Sequence, residues 1–201
     1  MDRTSDLGID PLAPIMFLDI DGVLNSHAWW HVRSQEDRAS KSALTRDLND
    51  LCPVACAELQ YLHELWGFNL VIISTWRKYN EPSYIDELFK IRGITAPILG
   101  ITPVMWMPVG IVQSGHGRGV EIQRWLRTYR KDLVPLLNIC ILDDDRDMSC
   151  LRTRLVHTSM EAGLLPEHRP AVREAFSKPL GAHLWEVDAM GIDARWTYTT
   201  W

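Results

Sequence analysis

The 201 residues predict an α/β fold, a doubly wound parallel sheet with helices on both faces. Three observations point there. Apolar runs recur at 15–20 (IMFLDI), 69–74 (NLVIIS) and 138–143 (NICILD). They are near-continuous rather than alternating, as in parallel strands covered on both faces. Between them lie segments whose apolar residues repeat every three or four positions, the spacing of a one-sided helix. Strand and helix therefore alternate, which is the pattern of a sheet built from crossover units.

Taken in order, residues 1–14 (MDRTSDLGIDPLAP) are polar and lack the apolar core of a signal peptide, so they read as an N-terminal extension. After the first strand, the gap 26–68 holds a polar, Trp-containing stretch and then one helix. Pro53 sits where a first helical residue is tolerated, Leu59, Leu62, Leu65 and Trp66 form the inward stripe, and Gly67 ends it. The second strand follows at 69–74. Pro82 opens another helix with Ile85, Leu88 and Phe89 inward and Gly93 beyond its end. A weaker strand is expected at 97–101 (PILGI), then a helix over about 118–131 with Val120, Ile122, Trp125, Leu126 and Tyr129 mainly on one side. The strand 138–143, a weak strand at 154–158 (RLVHT) and a short helix near 169–177 complete the series. One main domain is expected over 15–180, with only small loop insertions. The segment 181–201, which ends RWTYTTW, is expected to pack on that domain, although its pattern also fits an edge strand or a partner-binding tail.

Composition narrows the function classes. A hydrophobic fraction of 46% with 23% charged residues is that of an ordinary globular chain. The net charge of −5 provides no whole-protein attraction to nucleic acid or an anionic membrane, leaving only a local basic patch to do so. No apolar run approaches spanning length. Cys52, Cys56, Cys140 and Cys150 lack the spacing of a zinc site and read as reduced structural thiols of a cytoplasmic protein.

In open α/β sheets, ligands bind outside the carboxyl ends of the strands. That rule gathers the chain's polar residues at one edge: Asp19 and Asp21 after the first strand, Ser74 and Thr75 after the second, Asp143 and Asp144 after the third long run. Residues i and i+2 of an extended chain share a face, so Asp19 and Asp21 project together. Carboxylates that close repel unless a cation neutralises them or one keeps its proton. Four or five carboxylates at one edge form a hard-oxygen site suited to Mg²⁺. The plainer alternative, helix caps or solvated turns, suits either acidic cluster alone but fits poorly when both follow buried strands. An oxygen-only Mg²⁺ site suggests phosphate chemistry. A carboxylate can then serve as the nucleophile, and its neighbour can carry the proton. Ser74 offers a hydroxyl and a backbone N–H to a phosphoryl oxygen. Arg118, between glycines at a helix start, adds a cation where backbone N–H groups also favour an anion.

FLDIDGVLN, IIST, Arg118 and ILDDD, in that order, resemble the four motifs of the haloacid dehalogenase (HAD) superfamily over roughly residues 15–165. The resemblance implies a Rossmann-like fold and a Mg²⁺-dependent phosphohydrolase. It implies Asp19 as nucleophile and Asp21 as general acid/base, with the Asp21 carbonyl also on the metal. Ser74 and Arg118 would bind the phosphoryl group, and Asp143 and Asp144 would complete the metal site, with Asp145 and Asp147 competing for the outer role. The third motif is usually lysine, so Arg118 departs from it by replacing a point donor with a fork. A finer resemblance, through DIDGVLNS, STWR and LVHT, is to HAD domains of bacterial and phage proteins, some fused to RNA-repair enzymes. It implies a phosphatase acting on phosphorylated DNA or RNA ends, with no obligate protein partner evident.

Gly22, Thr75 and Arg77 are expected at the substrate, although Arg77 equally fits a pairing with a nearby acid. Trp29, Trp30 and Trp106 could stack on bases or simply anchor loops. Arg124, Arg127 and Lys131 could follow a phosphate backbone or form a solvated helix face. His27 and His31 read as surface residues near the first motif. The gaps 26–68 and 78–117 look too small for a cap domain, which favours an open site and a large substrate. A nucleotide or small-metabolite phosphatase and a non-catalytic HAD-like binding module are the alternatives. Toprim enzymes and nucleotide-sugar transferases also use DxD, but the former need an earlier acidic strand and the latter a preceding nucleotide-binding half.

Overall fold

A computed structural model describes residues 8–33, 42–104 and 117–181. The segment 181–201 and Trp106 therefore fall almost wholly or wholly outside the described residues. Five parallel strands form one sheet: β1 (Ile15–Leu18), β2 (Asn69–Ile72), β3 (Ile98–Ile101), β4 (Ile139–Asp143) and β5 (Leu155–His157), in the order β3-β2-β1-β4-β5. β1 is thus central, between β2 and β4, and both its neighbours are approached by crossovers in opposite directions. This is the doubly wound, Rossmann-like arrangement expected. All five expected strands form, each trimmed by a residue or two at its ends.

The pleat of β1 sends alternate residues to two separate cores. Met16 and Leu18 pack with Leu59, Leu62, Ile85, Leu88 and Val172 on one face. Ile15 and Phe17 pack with Ile122, Trp125 and Leu126 on the other. Trp125 is fully buried and meets Phe17 edge to face at 5.8 Å. The helices are α1 (His27–Val32), α2 (Ala43–Asp50), α3 (Pro53–Trp66), α4 (Pro82–Ile91), α5 (Gly117–Arg130) and α6 (Arg169–Phe176). Arg169 on α6 holds Glu58 on α3 through two bonds of 2.7 Å, tying two helices on the same face together.

Two expectations about the helices change. The stretch after β1 forms α1 and α2 rather than an irregular loop. Both lie in a mostly polar stretch, and the sequence signal for them is the Ser cap: Ser26 accepts from Trp29 N and Ser42 from Thr45 N. Leu65 is not part of the α3 stripe. It is 58% exposed, whereas Ala55, Cys56, Glu58, Leu59 and Leu62 of α3 are buried and Trp66 packs against Phe176.

Candidate active site

The backbone ladder runs on past the strand ends and fixes the edge residues. Asp19 N donates to Leu142 O at 2.9 Å, and Thr158 N donates to Asp143 O at 3.0 Å. These bonds lock the carboxyl ends of β1, β4 and β5 in one register. Asp19, Asp143 and Asp144 then bring carboxylate oxygens within 4.8 Å of one another, the metal-capable group found among the described residues.

Glycine makes that approach possible. Gly22 has φ +70, and a Cβ there would lie 2.4 Å from Cγ of Asp144. The DxDG turn thus leaves room for the acid delivered by β4. The Gly22 N–H donates to Asn25 Oδ1 at 3.0 Å and its carbonyl accepts from Thr158 Oγ1 at 2.8 Å. Both backbone groups are used in holding the turn.

Arg118, the second residue of α5, reaches into the acid group. Its Nη2 lies 3.2 Å from Asp19 Oδ2, its Nε 3.7 Å from Asp143 Oδ2, and its Nη1 donates to Ile73 O at 2.6 Å. The helix start carries its own anion. Arg118 N donates to Asp147 Oδ2 at 3.0 Å and Gly119 N to Asp147 O at 3.1 Å. The anion expected at these N–H groups is therefore the Asp147 side chain, and the guanidinium alone is turned to the site. Gly119 allows α5 to sit this low, since a Cβ there would meet Met148 O at 2.3 Å.

Burial dominates the electrostatics. It pushes Asp143 up to about 8, with the Asp19 charge adding to the effect and Arg118 opposing it. Burial also raises Asp19, against the pull of Arg118, the Ser74 hydroxyl bond and the Ile20 N–H, which donates to Asp19 Oδ1 at 2.7 Å. Asp144 is raised by burial and then by Asp19. For Arg118, burial works against the charge, but Asp19, Asp143 and Asp147 outweigh it and hold the guanidinium protonated. Asp143 Oδ1 accepts from Asp145 N at 2.8 Å, while its buried Oδ2 has no hydrogen-bond partner. A buried carboxylate oxygen with no donor, beside two more carboxylates, is a hard-oxygen donor set that fits a divalent cation. Asp145 is exposed and stands outside the cluster.

Asp21 lies off to one side. Its Oδ1 accepts from Asn25 Nδ2 at 2.7 Å and from Trp76 Nε1 at 3.2 Å. Ser74 is fully buried beneath Asp19, and its Oγ accepts from Trp76 N at 3.3 Å. Thr75 is exposed on the same turn, lining a cavity with Asp21. Arg77 makes the pairing with a nearby acid, the alternative to a substrate contact. Its donors go to Ile73 O, Ser74 O, Thr102 O and Glu121 Oε2 on α5, so it braces the loop from behind.

Asn25 and Thr158 were missed as site residues. Asn25 lies inside the quoted first motif and Thr158 inside LVHT, but nothing in their spacing shows that they hold the Asp21–Gly22 turn. Trp29 Nε1 donates to Asn49 O at 2.9 Å, which makes it a loop anchor. His27 pairs with Glu161 at 3.2 Å. The four cysteines are free thiols, with Cys140 buried in the sheet.

A central β1 ending in a buried acid, a second acidic strand beside it and an arginine from a helix define a HAD-superfamily domain. The chain belongs to the family described as the HAD domain in Swiss Army Knife RNA repair proteins, whose model matches residues 15–168. No curated protein and no solved structure matches it. The family supports hydrolase chemistry of the HAD type and typically uses a divalent metal, with which the Asp19, Asp143 and Asp144 cluster is compatible. No described helix is long and apolar enough to cross a membrane.

Proposed function

We propose that the chain is a Mg²⁺-dependent phosphomonoester hydrolase that works through an aspartyl phosphate on Asp19 and acts on phosphorylated nucleic-acid ends. The observation that carries this reading is the trio of buried Asp19 and Asp143 and half-buried Asp144, with the Arg118 guanidinium against Asp19. The association of the family with RNA repair supports the substrate class. In this reading Asp19, Asp143, Asp144 and the Asp21 carbonyl hold the metal. When bound, it offsets carboxylate and phosphoryl charge and orients the phosphate.

Arg118, the Ser74 hydroxyl and the Ile20 N–H favour the ionised form of Asp19 against the effect of burial, and its oxygen attacks phosphorus. The P–O bond to the leaving group breaks as Asp21 gives that oxygen a proton. Asp21, now ionised, takes a proton from water, which attacks the acyl phosphate, releases inorganic phosphate and restores Asp19. Arg118 and Ser74 carry the phosphoryl charge through both steps. Asn25 and Trp76 hold Asp21 Oδ1, which leaves Oδ2 as the oxygen that moves the proton.

The test is turnover of p-nitrophenyl phosphate and of 3′- and 5′-phosphorylated oligonucleotides with Mg²⁺ or EDTA. Hydrolysis with Mg²⁺ that stops in EDTA and in Asp19→Asn is expected. Full turnover by Asp19→Asn would remove the covalent mechanism. Activity on sugar phosphates alone would move the substrate class to small metabolites.

A further inference from the structure

Beside Asp21 lies a cavity of about 280 Å³, lined by Asp21, Asp47, Thr75, Trp76, Tyr79 and Asn80. Three separate elements build it: the turn after β1, helix α2 and the turn after β2. Its walls are held in place. Trp76 Nε1 donates to Asp21 Oδ1 at 3.2 Å, Asn80 Nδ2 donates to Trp76 O at 3.2 Å, and Tyr84 Oη donates to Asp47 Oδ2 at 2.8 Å. Tyr79 differs from these, with its side chain 85% exposed at the rim.

The walls select by chemistry. The Asp47 carboxylate and the Asn80 amide, whose nitrogen is already bonded to Trp76 O, present acceptors to an occupant's donors, and Thr75 adds a hydroxyl. The Asp47 carboxylate disfavours a phosphate held directly against it. The volume sits near the ~300 Å³ lower end of ligand pockets, enough for a single compact unit. An exposed ring at the rim is a stacking platform for a base. A carboxylate is a good acceptor for a sugar hydroxyl, and the 2′-hydroxyl is what distinguishes RNA from DNA. In the phosphatase reading, on which this inference rests, Asp21 hands its proton to the leaving oxygen, so the space beside it belongs to the leaving group.

We propose that this cavity is a leaving-group subsite for one terminal ribonucleoside, with its base stacked on Tyr79 and a ribose hydroxyl donating to Asp47. The subsite explains why the turn after β2 carries Trp76, Tyr79 and Asn80 in addition to the phosphate-binding serine. It also gives α2, which the sequence hid, a place in substrate choice.

The experiment is steady-state kinetics of the full chain with Mg²⁺ on adenosine 3′-monophosphate, its 2′-deoxy counterpart and glycerol phosphate. Tyr79→Ala is expected to lower kcat/KM for adenosine 3′-monophosphate, relative to glycerol phosphate, about tenfold. Asp47→Ala should bring the ribo-to-deoxy ratio to near one. Tyr84→Phe, which keeps the Asp47 carboxylate, should preserve that ratio and so separates recognition from support of α2. Turnover of all three esters with ratios unmoved by Tyr79→Ala and Asp47→Ala overturns the subsite and leaves the phosphatase reading standing. Turnover of none, with p-nitrophenyl phosphate and the phosphorylated oligonucleotides also left intact, overturns the phosphatase reading instead. Adenosine binding, measured by saturation-transfer NMR, needs no catalysis. Signal that Tyr79→Ala abolishes supports the subsite, and no signal, or signal unchanged by that variant, overturns it.

Discussion

Arg77 and Arg118 both donate to the carbonyl of Ile73, yet they belong to two different regions. Arg118 faces the carboxylates Asp19 and Asp143. Arg77 lies on the other side of the same peptide, bonded to Ser74 O, Thr102 O and Glu121. Burial lowers Arg77 despite Glu121, whereas the surrounding acids raise Arg118 despite burial. One guanidinium is therefore free to answer a change in charge at the site. The other is a brace, and its value is that Ser74 and α5 stay where they are. Chemical type alone does not distinguish a site residue from a support; the partners do.

The largest expected effect lies at the acids that Arg118 faces. Asp19→Asn should cost on the order of 10⁴-fold or more in kcat, with the fold retained on circular dichroism, because it removes the nucleophile itself. Next comes the brace. Arg77→Ala should destabilise the protein by about 3–5 kcal/mol in denaturant unfolding, since it breaks the buried ion pair with Glu121 and removes the guanidinium bonds to Ile73 O, Ser74 O and Thr102 O. A double variant, Arg77→Met with Glu121→Leu, should recover part of that loss. If Arg77→Ala instead left stability unchanged and raised KM alone, Arg77 would belong with the substrate after all.

Arg118→Ala should lower kcat about 10²–10³-fold, because it removes one preorganised donor to the phosphoryl charge. Arg118→Lys should recover only part of this, as a point charge cannot reach Asp19, Asp143 and Ile73 together. The smallest effect is a pH trend. Asp143 sits near 8 in the fold against an ordinary value near 4, so the stability carried by its protonated form is complete below about pH 4. It is lost as pH rises through about 8. Chelator-treated protein should thus show a melting temperature that falls from pH 5 to 8, and Asp143→Asn should flatten that slope. Added Mg²⁺ should raise the melting temperature more at pH 8 than at pH 5. A flat profile before any metal is added would show that Asp143 is ionised without help.

Much of the fold was legible because its signals are local. The runs IMFL, NLVI and ICILD are apolar enough to be strands buried on both faces, and Pro53, Pro82, Gly67 and Gly93 mark helix ends. The acids Asp19, Asp143 and Asp144 were legible for the same reason, as polar residues ending buried strands. Helices α1 and α2 were not, because their stretch is mostly polar and α2 shows only Leu44 and Leu48 to the core. The exposure of Leu65 was also hidden, since a stripe shows which residues share a face but not how wide the neighbouring layer is.

By itself, the order of motifs in this sequence determined a parallel α/β sheet with a carboxylate-rich edge, because strand burial and ligand placement follow from pattern and from the sheet-edge rule. Only the tertiary structure decided which polar groups meet there. It brought Asp144 rather than Asp145 to Asp19, committed Asp147 to the start of α5 and turned Arg77 away while turning Arg118 inward. Those outcomes depend on contacts across 29 to 125 positions of chain, such as Gly22 against Asp144 and Arg118 against Asp147. Side-chain contacts over such separations are set by packing, which no local pattern records.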